Sequence, residues 1–150
     1  MEDPRKILGS IAIIYRSYLA CMEKELEAYR IRSGQFDFLM VLYRKDGISQ
    51  DTIAKALKVS KATTTRAIKN LETEGYVYRE RDGTDLRAYR VYLTEKGKEV
   101  RNVILEKSVY FVDNLLSDFT HEEKEVFRQL VQKASLKFHE SELRPFVLIA

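Results

Sequence analysis

The chain has 150 residues, 45% of them hydrophobic and 33% charged, a length and balance suited to one compact soluble domain built on a single core. The longest low-charge stretch, Ile7–Met22, contains one arginine and is too short to span a bilayer, and the single cysteine, Cys21, forms no intramolecular disulfide. These features exclude a transmembrane helix and a disulfide scaffold and lead to an expectation of a cytoplasmic protein. The net charge of +3 is unevenly distributed: Arg44 to Lys98 holds 13 Lys or Arg against 8 Asp or Glu, and the residues outside that stretch together carry a net −2. Within that basic middle, Lys55, Lys58, Lys61, Arg66 and Lys69 fall in one run without an acid. Such a run suits a surface that displaces counterions from phosphate, although solvated helix faces have the same composition.

Residues 7–29 predict a helix, with Ile7, Leu8, Ile11, Ile14, Tyr15, Tyr18, Leu19 and Met22 at helical spacing. Ala12 and Ile13 broaden the stripe beyond one face, as expected for a helix packed against both its own chain and a partner. Ser33 is the expected N-cap of a second helix, a core element carrying Phe36, Leu39, Met40, Val41 and Leu42 and stopping at Asp46-Gly47. Ser49 caps a short helix to about Leu57. After the turn Lys58-Val59-Ser60, Ser60 caps another helix to about Glu74, with Gly75 supplying a left-handed terminus. Two capped helices this close together form a helix-turn-helix candidate.

The period then changes from helical to alternating over 76–81 and 88–93, which are rich in β-branched and aromatic residues and predict paired strands. The polar segment 82–87 between them is longer than a minimal hairpin turn, so the hairpin projects as a wing. Thr94 caps a helix of about 22 residues, roughly 33 Å long at 1.5 Å per residue. Thr120 and Glu123 have the spacing of a capping box ahead of a last helix reaching Phe138. The expected architecture is mainly α with a small β-hairpin wing, a winged helix-turn-helix lobe over 33–97, and a helical dimerisation region over 5–30 and 98–145.

Sorting 53–71 by face places Ile53, Ala54, Leu57, Val59, Thr64, Ile68 and Leu71 inside the motif. Lys61, Thr63, Arg66 and Lys69 lie outside and early in the second helix, where a recognition helix meets bases and phosphates. Thr63, Thr64 and Thr65 are poor helix formers, but their hydroxyls can bond phosphate or base and their methyls can touch thymine. Ser49, Ser60, Lys61, Thr63, Thr65, Arg66, Lys69 and Arg87 are therefore the expected contacts to double-stranded DNA, with Arg87 entering a minor groove. Asp85 is expected to pair with Arg79 or Arg81 and to support the wing. There is no glycine-rich phosphate loop, metal-ligand cluster or nucleophile-base pair, and neither His121 nor His139 has ligand spacing, so neither an enzyme nor a bound metal or cofactor is expected. A winged module that binds only protein is the rival, and the basic recognition helix argues against it.

From about Gln35 to Gly97 the chain resembles the multiple-antibiotic-resistance regulator (MarR) family. The resemblance rests on Gln35-Phe36, Ser49, Ile53-Ala54, Val59-Ser60-Lys61, Thr63, Arg66, Leu71-Glu72, Gly75-Tyr76-Val77-Tyr78-Arg79, the wing signature Asp85-Leu86-Arg87-Ala88, and Leu93-Thr94-Glu95-Lys96-Gly97. It departs where Leu86 replaces a common arginine and Thr65 a more usual apolar residue. The resemblance implies a two-fold homodimer that interlocks its terminal helices, reads a palindromic operator and is released, as a repressor, by small molecules or oxidants.

Arg16 is the only charge in Ile7–Met22, with Ala12, Ile13, Leu19 and Ala20 as its helical neighbours. Buried there, it needs a carboxylate, a set of carbonyls or an incoming anion. Since the family's ligands include phenolic acids, Arg16 with Tyr15 and Tyr18 is the expected site for a small aromatic carboxylate, with an ion pair across the dimer as the alternative. Cys21 raises a second alternative, a redox-sensing regulator, against which stands a buried inert thiol.

Overall fold

The computed structural model describes residues 3–32 and 34–138. Its elements follow in the order α1 (Pro4–Leu26), a tight 3-10 turn (Glu27–Tyr29), α2 (Gln35–Arg44), β1 (Ile48–Ser49), α3 (Gln50–Leu57), α4 (Lys61–Thr73), β2 (Val77–Arg81), β3 (Tyr89–Leu93), α5 (Glu95–Leu115) and α6 (His121–Leu136). The fold is mostly helical, with a small antiparallel sheet of strand order β1-β3-β2.

α1 starts earlier than its apolar periodicity indicates. Asp3 accepts a hydrogen bond from the Arg5 amide, and Pro4 follows at the first helical position, where its missing N–H costs nothing. It also ends earlier, at Leu26, where the chain tightens into the 3-10 turn and leaves it through Arg30 in the left-handed region at φ 55°. α2 is capped by Gly34 at φ 82° without a side-chain bond; Ser33, the expected cap, lies outside the described residues. Instead the Gln35 side chain turns back to accept the Arg32 amide at 3.1 Å, which secures the approach to the helix.

α2 is buried on nearly all sides: Phe36, Phe38, Leu39, Met40, Val41 and Leu42 all belong to the core. Around it pack the last turns of α1 (Met22, Leu26), Ile53, Ile68 and Leu71 of the helical motif, Tyr76, Val77, Val91 and Leu93 of the sheet, and Val100 and Ile104 of α5. Burying one Leu- or Phe-sized side chain contributes about 1.5–3 kcal/mol, so this shared cluster is what positions the motif and the hairpin relative to each other.

The other four caps expected from sequence are present. Ser49 accepts from Thr52, Ser60 from Thr63, Thr94 from Gly97, and Thr120 forms a full capping box with Glu123. Gly75 takes φ 79° after α4. The two-residue strand β1, which has no signal of its own in the sequence, pairs Ile48 with Val91 and Ser49 with Arg90. β2 and β3 pair in register from Val77 with Leu93 to Arg81 with Tyr89.

The apolar stripe of α1 divides along its length. Met22 and Leu26 are fully buried, whereas Ile7, Leu8, Ile11, Ile13 and Tyr15 are exposed, Leu8 by 68%. α6 has no buried residue, and Val126, Leu130, Val131 and Leu136 face outward with Val109, Tyr110 and Val112 of α5. No described helix is long and apolar enough to cross a membrane.

Candidate nucleic-acid interface

The motif helices are joined by the turn Lys58-Val59-Ser60, in which Lys58 takes φ 54° and caps α3 with bonds to the Ala54 and Lys55 carbonyls. Val59 is half-buried beneath the turn. The three threonines separate by role. Thr64 is fully buried and its hydroxyl donates to the Ser60 carbonyl at 3.0 Å, so it belongs to the core as expected. Thr63 receives the Ser60 hydroxyl at 2.9 Å, and Thr65, exposed, accepts from the Gln50 amide at 3.3 Å, linking the two helices. Hydroxyls already bonded at the first turn rigidify it and still offer lone pairs outward.

Lys61, Arg66 and Lys69 are all exposed on α4. The Lys61 ammonium lies 3.5 Å from Asp51 with its side chain 81% exposed, a pair that solvent screens heavily. Arg87 is exposed on the hairpin loop. Exposed cations thus occur on both the second motif helix and the hairpin.

The hairpin is held differently from the expectation. Asp85 pairs with neither Arg79 nor Arg81: its carboxylate accepts the Arg87 amide at 3.0 Å, a bond local to the loop. Arg79 pairs instead with Glu72 on α4 at 2.9 Å, and Arg81 donates to the Leu86 carbonyl at 2.6 Å. Both guanidiniums lie over the Tyr89 ring, 5.1 and 5.4 Å from its centre. The reason is geometric. Arg79 and Arg81 are alternate residues of β2 and share the face on which Tyr89 and α4 lie, whereas Asp85 is held within its own turn.

The supporting carboxylate is Asp82. One of its oxygens accepts the Thr84 amide at 2.8 Å, the Thr84 hydroxyl at 2.7 Å and the Asp85 amide at 3.2 Å. The other accepts Arg90 Nε at 2.6 Å, and Arg90 extends to the Gly47 carbonyl at 2.8 Å. The Thr84 bonds, then the Asp85 amide and the Arg90 guanidinium, hold this carboxyl well below the usual carboxylate range. An Asp followed by Gly-Thr at the end of a strand was the available sign, since Asp side chains bond the backbone two residues on.

The residues expected to hold an effector are not gathered in one place. Tyr15 lines a cleft of about 470 Å³ between α1 and the helical motif, together with Asp37, Phe38, Val59 and Arg66. Tyr18 points into the core region, in edge contact with Phe36 and Phe111 and 3.2 Å from the Ser108 hydroxyl, and burial pushes its phenol up to about 12. Arg16 is outside the cleft lining and exposed on α1, and Cys21 is half-buried on the same helix.

Residues 31–89, which span the motif and most of the wing, match the model of the MarR family. Over 127 residues the chain is 32% identical to the uncharacterized HTH-type transcriptional regulator YybA of Bacillus subtilis, covering 85% of each protein. The chain belongs to the MarR family. A MarR transcriptional regulator from Methanosarcina mazei superposes with a TM-score of 0.81 at 40% identity, over 90% of this chain and 99% of that one. A MarR family regulator from Listeria monocytogenes, solved in complex with a 26mer DNA, superposes with a TM-score of 0.77 at 27% identity, over 91% and 89% of the two chains. Within this MarR-family frame α3 and α4 form the helix-turn-helix and β2–β3 is the wing.

Proposed function

We propose that this MarR-family regulator binds double-stranded DNA as a homodimeric repressor of a palindromic operator. The observation that carries the reading is the pairing of an exposed basic recognition helix with an exposed wing arginine. Lys61, Thr63, Thr65, Arg66 and Lys69 face outward or half-outward on α4 and Arg87 on the loop, the placement that lets a helix enter a major groove while a hairpin follows the neighbouring minor groove. The capped helix starts at Ser49 and Ser60 add backbone N–H groups suited to phosphate. The Listeria relative's complex with DNA supports the same use of the fold.

The apolar residues left exposed on α1, α5 and α6, which a second copy would cover, support two-fold pairing. Arg16 stands on α1 among them, so pairing would enclose its guanidinium and call for a carboxylate from the partner or a bound aromatic acid. Salicylate titrated into wild type and Arg16→Ala separates these: weaker binding to the variant supports the acid, and equal binding makes Arg16 structural.

The test of the main reading is binding to the chain's own upstream DNA across a salt series. Affinity should fall steeply with salt, and Lys69→Ala should reduce the logarithmic slope by about 1. Arg87→Ala should weaken binding by about 1–3 kcal/mol while the dimer persists. Salt-independent binding, or an undiminished Arg87→Ala protein, would remove these residues from the interface.

A further inference from the structure

The tip of the wing is a hydrogen-bonded turn with an apolar corner. The Asp85 carbonyl accepts the Ala88 amide at 2.9 Å, which closes a β-turn with Leu86 and Arg87 at its two central positions. The turn is fixed from both sides: the Asp85 carboxylate accepts the Arg87 amide at 3.0 Å, and the Arg81 guanidinium donates to the Leu86 carbonyl at 2.6 Å. Behind it the Asp82 amide donates to the Ala88 carbonyl at 3.0 Å. Leu86 is 66% exposed, on a loop that is exposed from Gly83 to Arg87. Single exposed leucines are ordinary on protein surfaces. This one shares a pinned turn with Arg87, so where the arginine enters DNA the leucine goes with it.

We propose that Leu86 is an apolar wedge, which the wing inserts into the minor groove at a deformable thymine-adenine (TA) step with Arg87 beside it. The inference rests on the DNA-binding reading above and adds to it a residue and a sequence preference. Exposed cations on either side of Leu86, Arg81 and Arg87, supply the attraction to phosphate that a leucine lacks. An inserted leucine partly unstacks a base step and bends the duplex, at a cost of about a few kcal/mol that flexible pyrimidine-purine steps lower. It makes no hydrogen bond to a base edge, so it reads how readily the step opens. An arginine alone has the opposite preference, for the narrow groove of stiff A-tracts. One side chain on a charged tip is too small to anchor a protein partner, whose interface would bury about 800 Å² on each side. A wedge needs only the one.

The test begins with footprinting of the full-length protein on the chain's own upstream DNA, which locates the minor groove beneath the wing. Duplexes carrying TA or AA at that step are then compared. Both steps offer the same acceptors in the minor groove, so discrimination between them reports deformability. Wild type should bind the TA duplex at least about fivefold more tightly than the AA duplex. With 2-aminopurine in place of the step's adenine, fluorescence should rise at least about twofold on binding as the base unstacks. Leu86→Ala should lose that rise and bind the two duplexes equally or prefer AA, whereas Leu86→Met should keep both properties, since methionine also serves as a wedge. Leu86 is no part of the core, so both variants should melt as wild type does. Equal affinity of wild type for the two duplexes, unchanged 2-aminopurine fluorescence, or the same rise with Leu86→Ala would each overturn the wedge and leave the regulator reading standing. A protein that binds no upstream DNA would overturn both.

Discussion

Asp82 accepts four hydrogen bonds with its two oxygens, and three of the donors come from Thr84 and Asp85 of its own loop. The fourth, Arg90, reaches it across the hairpin and is anchored in turn on Gly47 before the helical motif. Asp82→Asn should therefore loosen the wing without unfolding the core and lower operator affinity, in the same direction as Arg87→Ala. Its pH dependence has a definite sign. The folded carboxyl titrates below its unfolded value, so the stabilisation it contributes is present above the ordinary carboxylate range and is lost as the pH falls through the folded value. Thermal melts of wild type and Asp82→Asn should differ most at neutral pH and converge in strong acid; a gap independent of pH would assign the effect to packing. At this scale local bonds were legible in the sequence and distant ones were not. Ser49, Ser60, Thr94 and Thr120 cap helices that begin at the next residue, so their roles follow from neighbours in the chain. Arg79 pairs with Glu72 and Arg90 with Asp82, seven and eight residues apart, once strand and helix have folded against each other. Asp85 was misassigned for that reason.

The elements themselves were legible wherever periodicity lasted several residues, which is why α4, α5, α6 and the two long strands fall close to their expected places. β1 has two residues and no period; only its pairing with β3 makes it a strand. The cleft was equally hidden, because Tyr15, Asp37 and Arg66 come from three helices that no local pattern brings together. Gly97 shows how closely two elements meet. It lies in the first turn of α5, buried, where an added Cβ would run into the Tyr76 carbonyl and the Leu93 side chain. The same Tyr76 carbonyl accepts the Thr94 amide at 3.1 Å, and the Tyr43 hydroxyl donates to the Gly97 carbonyl at 2.5 Å, so the backbone has little room to shift. Gly97→Ala, although alanine is the better helix former, should destabilise the protein by about 1–3 kcal/mol. Urea unfolding measures this directly: an unchanged midpoint would show that α5 can slide away from the strand.

For the whole molecule the uneven burial of α1 and α6 sets the expectation. A single chain encloses the winged lobe but leaves Ile7, Leu8, Ile11 and Ile13 of α1 and Val126, Leu130, Val131 and Leu136 of α6 uncovered. If a second copy covers them, the melting temperature rises with protein concentration, because mass action favours the folded, associated state. Melts over a hundredfold range of concentration, alongside sedimentation, should show that rise; a fixed melting temperature with a stable monomer at micromolar concentration would leave these faces without a partner in solution. Finally, the short strand β1 has a mechanical meaning for the lobe as a body. Its pairing with Val91 and Arg90, the Gly47 amide on the Val91 carbonyl and the Arg90 link from Asp82 close a ring that joins the start of α3 to both arms of the hairpin. An arm that belongs to a ring has no hinge of its own. The wing and the first motif helix therefore open together or not at all, and the amide protons of β3 and of α3 should exchange with solvent at a common rate, as one cooperative unit.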